Sequence, residues 1–135
     1  MAHFLGIDAG TSGIKAVIID EDGRIEGVGY SECGLITPRP GWAEQDPNDW
    51  WRACREAVLG AVTKSGLGKK IHSVGFSGQM QGSALLDKNM EPIGNCLLWL
   101  DQRSNEEVEE INGMISPAQS LGITSNMCLN SFWAP

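Results

Sequence analysis

Gly6-Ile7-Asp8-Ala9-Gly10-Thr11-Ser12-Gly13-Ile14-Lys15-Ala16-Val17 is the stretch on which the fold turns. An apolar run from Phe4 to Ile7 ends in a carboxylate, a Gly/Thr/Ser turn follows, and a second apolar run ends at Asp20. This pattern predicts strand, tight turn, strand. Gly10 and Gly13 permit backbone conformations with positive φ and let a ligand come close to the main chain. Thr11 and Ser12 add hydroxyl donors, and successive turn N–H groups can form an anion-binding concavity. Asp8 stands at the strand end, where a carboxylate can hold hydrated Mg2+ beside phosphate. Carboxylate, donor-rich turn and flanking Lys15 together point to a nucleotide-phosphate hairpin.

Other glycine-rich phosphate motifs do not fit. A dinucleotide turn needs G-x-G-x-x-G opening a helix, whereas Gly6, Gly10 and Gly13 precede a strand. No window supplies the G-x-x-x-x-G-K-[ST] of a P-loop. A plain hairpin with a Gly/Ser/Thr turn is the competing reading of these residues.

The 135 residues suit one domain at most, and 41% apolar with 20% charged residues is a globular composition rather than a disordered one. A net charge of −7 argues against a nucleic-acid surface, which needs a basic footprint, but not against ATP, which needs only local donors and a metal. Cys33, Cys54, Cys96 and Cys128 form no C-x-x-C motif and read as reduced cytosolic core fillers. No apolar run approaches membrane-spanning length and no signal peptide is visible, so a cytoplasmic protein without membrane partners is expected.

Glu21-Asp22-Gly23 connects to a third strand over 24–33, whose glycines suggest an edge. Asp46 caps a helix predicted over 47–64, with Pro47 in its first turn and Gly66 and Gly68 closing it. Its apolar face is Trp50, Cys54, Ala57, Val58, Ala61 and Val62. Another strand is predicted over 71–77, resuming over 83–86, then an apolar segment over 92–99. Ser104 and Glu107 fit a capping box for a second helix with Val108, Ile111 and Met114 on its apolar face, and a short third helix is expected over 117–121. Trp42, Trp50 and Trp51 read as loop and core packing. His3 and His72 flank strands, partly exposed or satisfied by backbone, and two isolated histidines make no metal site. Ser77 has no nucleophile elbow around it, which rejects hydrolase chemistry.

Three further stretches combine with the first hairpin: Pro40-Gly41-Trp42-Ala43-Glu44-Gln45-Asp46-Pro47, Gly75-Phe76-Ser77-Gly78-Gln79-Met80-Gln81-Gly82, and Trp99-Leu100-Asp101-Gln102-Arg103. In this order and spacing they resemble the FGGY family of carbohydrate kinases, and within it xylulokinase-like members, from Phe4 to Pro135. The resemblance implies an α/β fold of the RNase H-like, actin-like ATPase type. This chain would be an incomplete lobe of it, a mixed sheet with antiparallel N-terminal hairpins and packed helices. It implies ATP-dependent phosphorylation of a sugar hydroxyl, with xylulose or a related ketose or polyol as acceptor and with Mg2+.

By the same resemblance, Asp8 is the metal-site carboxylate, and Gly10, Thr11, Ser12 and Gly13 are the phosphate cradle. Lys15 either reaches the phosphates or lies along the strand. Gln79, Met80 and Gln81 match the sugar-contacting loop, where xylulokinases usually carry His at the position of Gln81; Gln can donate and accept hydrogen bonds but cannot become a cation. Trp99 matches a tryptophan packed against substrate, and Asp101 and Arg103 either touch substrate or fix the local turn. Family members are several times longer, and their catalytic-base aspartate, second phosphate loop and adenine pocket lie beyond this region. The chain alone is therefore expected to be the N-terminal part of the sugar-binding lobe, with no second lobe, no catalytic residue and no kinase activity of its own. The apolar end Phe132-Trp133-Ala134-Pro135 is expected to be a cut through a larger protein, and uncovered apolar surface is expected to promote association. Partners would be a small-molecule sugar and ATP, with a homodimer as a candidate assembly of the complete enzyme. The alternatives are a non-catalytic actin-like sugar- or partner-binding module and a different actin-like phosphotransferase.

Overall fold

A computed structural model describes residues 1–129, so the predicted cut at Phe132-Trp133-Ala134-Pro135 lies outside the described residues. The chain divides into two compact units. The first holds residues 1–34 and 46–79, the second residues 35–45 and those from 80 onward.

In the first unit, β1 (His3–Ala9), β2 (Gly13–Asp20), β3 (Ile25–Glu32) and β5 (Ile71–Gly78) form a four-stranded sheet in the order β3-β2-β1-β5, while β4 (Glu44–Gln45) belongs to the second unit. β1, β2 and β3 pair antiparallel, and β5 joins β1 in parallel, which gives a mixed α/β sheet. The long α-helix α1 (Pro47–Ser65) makes the crossover that a parallel strand requires. Its start and stop are as predicted: the Asp46 side chain accepts from the Asn48 N–H at 2.9 Å, and Gly66 ends the helix at φ 69°.

Strand alternation sends Leu5, Ile7, Ile14, Ala16 and Ile18 to the face covered by α1. The tightest contact there is made by small residues. Ala53, Ala57 and Ala61 have no exposure. A Cβ on Gly29 would stand 1.8 Å from the Ala57 carbonyl oxygen, and one on Gly27 would stand 2.5 Å from that of Ala61. The glycines of β3 thus mark a close helix contact as well as an edge. Beyond that contact, Val74 and Phe76 of β5, with Trp51 and Leu59 of α1, border an open apolar groove of about 890 Å³.

In the second unit β4 pairs antiparallel with β6 (Cys96–Leu97) around buried Ala43, Gln45, Cys96 and Leu98. The strand expected over 83–86 is reduced to isolated bridges, among them Leu86 to Pro92, and the apolar segment over 92–99 contributes only β6. The Asp87 carboxylate accepts from the Asn89 and Glu91 N–H groups, and Met90 adopts φ 67°, so a compact turn replaces the ladder. α2 (Asn105–Met114) forms without the expected capping box: Ser104, at ψ 21°, lacks the extended backbone that aims a cap hydroxyl at the helix. The box is found one helix later, where Ser116 (ψ 150°) and Gln119 cap α3 (Pro117–Thr124) reciprocally. Met114 is exposed, and Val108 and Ile111 are only half-buried. His3, expected to be partly exposed or satisfied by backbone, is buried with its Nδ1 unpaired.

Gly29→Ala should destabilise the chain by at least ~2 kcal/mol, because backbone must move to admit the methyl group. Gly75→Ala, with nothing within 4 Å of the new atom, should stay within about 1 kcal/mol of the parent. Urea unfolding of both variants checks this; equal midpoints would refute the close-contact account.

Candidate functional site

The sheet face opposite α1 carries polar residues in register. Asp8 pairs with Lys15 on β2, Lys15 pairs with Tyr30 on β3, and Asp8 pairs with Ser77 on β5. Direct partners project from the same side of a sheet, so Tyr30, Lys15, Asp8 and Ser77 form one row across four strands. Beside the row, Gly6 and Gly75 leave a shallow cleft of about 360 Å³ lined also by Asp8, Lys15, Val17 and Ser77. Asp8 is exposed, and among the described residues its carboxylate takes no hydrogen bond or ion pair.

The turn from Gly10 to Gly13 sits at the end of this row. Positive φ is not what it asks of glycine: the glycines with positive φ are Gly23, Gly41 and Gly66. Space is the requirement. A Cβ on Gly13 would lie 2.5 Å from the Ser31 carbonyl oxygen and 2.6 Å from the Tyr30 hydroxyl, and one on Gly10 would lie 3.3 Å from the Gly13 carbonyl oxygen. The Thr11 hydroxyl donates to Gln79 Oε1 at 3.0 Å, and the Gln79 N–H donates to the Ala9 carbonyl at 2.8 Å. Gln79 is therefore tied to the turn.

Among the described residues, no three His, Cys, Asp or Glu side chains cluster closely enough to hold a metal ion. An ion at Asp8 would take its other ligands from water and phosphate, which is the usual habit of Mg2+, so the exposed carboxylate fits that cation. Burial pushes the Cys33 and Cys96 thiols up, in keeping with inert core residues. Among the described residues no helix is long and apolar enough to cross a membrane.

The second unit holds the other expected contact residues. Met80 is exposed and Trp99 half-exposed, while Gln81 adopts φ 61°, a strained conformation for a residue with a side chain. Gln81, Ser83, Asp101 and Cys128 line a cavity of about 370 Å³. Asp101 is 4% exposed and its oxygens accept from the Ala43 N–H (2.8 Å), the Arg103 N–H (2.9 Å) and the Arg103 guanidinium (2.8 and 2.9 Å). These bonds fix the turn. Arg103 also pairs with Glu44 at 2.5 Å and lies 3.7 Å from the Trp42 ring centroid. Burial pushes the Asp101 carboxyl up, but the Arg103 guanidinium and the two N–H donors outweigh it and hold it below the usual carboxylate range. Asn95 and Arg103 lower that of Glu44. Sequence reading did not single out Tyr30, Glu44 or the place of Ser77 beside Asp8; strand register was the available signal for Tyr30 and Ser77.

A mixed sheet that opens on an antiparallel hairpin and is backed by one crossover helix is the architecture of an actin-like ATPase lobe. The chain belongs to the FGGY family of carbohydrate kinases, whose N-terminal domain it matches over residues 3–134. It is 34% identical over 132 residues to the xylulose kinase of Klebsiella pneumoniae, covering 98% of this chain and 27% of that protein. It is 40% identical over 107 residues to the L-xylulose/3-keto-L-gulonate kinase of Escherichia coli, covering 78% of this chain and 22% of that protein. The crystal structure of a "xyloylose kinase" from Brucella ovis superposes with a TM-score of 0.86 at 40% identity, covering 98% of this chain and 27% of that one. The chain thus spans about a quarter of the length of these relatives.

Asp101 and Glu44 have lowered folded-state pKa values, so their stabilisation is present above their unfolded values of about 3.9 and 4.3 and is lost as pH falls through the folded ones. Thermal unfolding between pH 6 and 2 should show the parent losing more stability than Asp101→Asn, which is weaker at pH 6 and flatter below it. Parallel curves would refute this.

Proposed function

We propose that this chain is the part of an ATP-dependent sugar kinase that grips the nucleotide's phosphates and contributes to the sugar site. The observation that carries the reading is the register row: the exposed Asp8 carboxylate, the Lys15 ammonium and the Gly10–Gly13 turn belong to one open sheet face. In this reading the turn's N–H groups and the Ser12 hydroxyl hold phosphate oxygens, the Thr11 hydroxyl joins them by exchanging its bond to Gln79 for one to phosphate, and Lys15 neutralises charge beside them. Asp8 is the residue that would hold Mg2+. The ion, when bound, offsets charge on the phosphates during transfer.

The acceptor is a sugar or polyol hydroxyl. The relatives' names favour xylulose or a related keto sugar, and Met80, Gln81 and Trp99 are the residues proposed to contact it. Gln81 offers an amide that donates and accepts without titrating, which suits a polyhydroxyl acceptor. No group of this chain is assigned the proton abstraction that starts the transfer. We place that base elsewhere in the complete polypeptide, in keeping with the greater length of the relatives. The family's two-lobed arrangement, with this chain as the first part of the sugar-binding lobe, is part of the same proposal.

Asp8→Ala in the complete polypeptide should lower kcat by about 10²-fold or more, with little change in KM for the sugar, as loss of charge stabilisation at the phosphates requires. A coupled assay of ADP release across pentoses, hexoses and polyols reads this and identifies the acceptor. The purified 135-residue chain should show no turnover in that assay. An Asp8→Ala enzyme with the parent's kcat would overturn the assignment of Asp8, and turnover by the pure chain would overturn its placement as a part without a base.

A further inference from the structure

Tyr30 stands at the β3 end of the polar row and reaches back to the phosphate turn. It is half-exposed, with its ring over Gly13: a Cβ there would lie 2.7 Å from the ring carbon that bears the hydroxyl. The hydroxyl donates to the Ser12 carbonyl at 3.2 Å, and the Cys33 N–H donates to the same oxygen at 3.2 Å. The Ser12 carbonyl is therefore held by two donors, one from the main chain just after β3 and one from a side chain on the open face.

Holding that carbonyl has a consequence one atom further on. The Ser12–Gly13 peptide is planar and trans, as no cis bond occurs among the described residues, so the Gly13 N–H points opposite to the Ser12 C=O. With the carbonyl turned toward β3, the N–H is turned away from it, toward the β1 side of the hairpin. Gly13 can sit beneath the ring only because it lacks a side chain, so the glycine and the tyrosine fit each other. The main-chain bond from Cys33 alone would leave the end of the ladder free to fray, since it is the outermost bond before the turn. The tyrosine hydroxyl adds a second tether at that point.

We infer that Tyr30 is a positioning residue for the phosphate turn: through the Ser12 carbonyl it fixes the direction of the Gly13 N–H and so the donor geometry offered to a nucleotide's phosphates. This rests on the reading of Gly10–Gly13 as the phosphate cradle. Tyr30 itself touches no reacting atom. Tyr30→Phe keeps the ring over Gly13 and removes only the tether, whereas Tyr30→Ala removes both.

The test uses the complete polypeptide, with amide exchange in the absence of nucleotide and titration with Mg-ADP. In Tyr30→Phe, exchange at the Cys33 N–H, which shares the Ser12 carbonyl, should rise about three- to tenfold as the end of the ladder loses its second tether. The Kd for Mg-ADP should rise by a similar factor while KM for the sugar stays unchanged. Tyr30→Ala should show both effects at least as strongly. Parent-like exchange or parent-like Mg-ADP affinity in Tyr30→Phe overturns the inference. So does a rise in sugar KM that keeps step with the nucleotide effect and with a fall in Tm, which is what a merely structural loss gives. A parent protein that binds no Mg-ADP would instead refute the phosphate-cradle reading, and the inference with it.

Discussion

The close approach of α1 to the sheet governs the first unit. Leucines between a helix and a sheet hold them apart, whereas here Ala53, Ala57 and Ala61 face Gly27, Gly29 and Ala16, and main chain comes against main chain. Such a contact buries little area per residue, but it brings many atoms to optimal separation and tolerates no added methyl group. It also fixes the helix along the sheet. At the helix's N-terminal end, Arg52 pairs with Asp49 and Glu56 and donates to the Glu32 carbonyl, while Asp49 accepts from the Gly34 N–H. Strand β3 is thus clasped at its end as well as packed along its length, and β3 is the strand that carries Tyr30.

Closing one face of a sheet with a helix leaves the other to chemistry. Period-two alternation puts Ile14 and Ala16 under the helix and Lys15 on the open side, and the same rule places Tyr30 opposite Gly29 and Asp8 opposite Ile7. A slip of one residue in the β1–β2 ladder would bury a charge and expose aliphatic side chains, so the packing that stabilises the unit also sets the register of the polar row. Glycine serves both faces in different ways. Gly29 admits the helix, Gly13 admits a tyrosine ring, and Gly6 and Gly75 leave the cleft beside Asp8 open.

Much of this was legible because local chemistry decided it. The Asp46 cap, Pro47, and Gly66 in left-handed backbone delimit α1 by short-range rules. The first hairpin announced itself by two apolar runs around a Gly/Ser/Thr turn. What was not legible depends on distance across the fold. Ala53 was left out of the expected apolar face, although it is as fully buried as Ala57 and Ala61; that burial is set by the sheet packed against the helix, which the helical pattern alone does not contain. The need for glycine at position 13 is one of space, and it was hidden because the obstructing atoms belong to Tyr30 and Ser31 on another strand. Ser104 has the right neighbours for a capping box and the wrong backbone, which composition cannot reveal.

Asp8 and Asp101 show how one residue type is given two fates. Asp101 lies in the interior of its unit, where a carboxylate without partners would be very costly; four donors answer it and hold the local turn. Arg103, which supplies three of those bonds, is satisfied in turn by Glu44 and by the face of Trp42, so the cluster closes on itself. Asp8 stands on an open face, solvated, with no such partner among the described residues. Both sit in motifs that mark the family, so motif membership alone cannot separate scaffold from chemistry. Partner saturation can: a carboxylate whose lone pairs are spent on neighbours holds the fold, and one left exposed keeps them for solvent or a ligand.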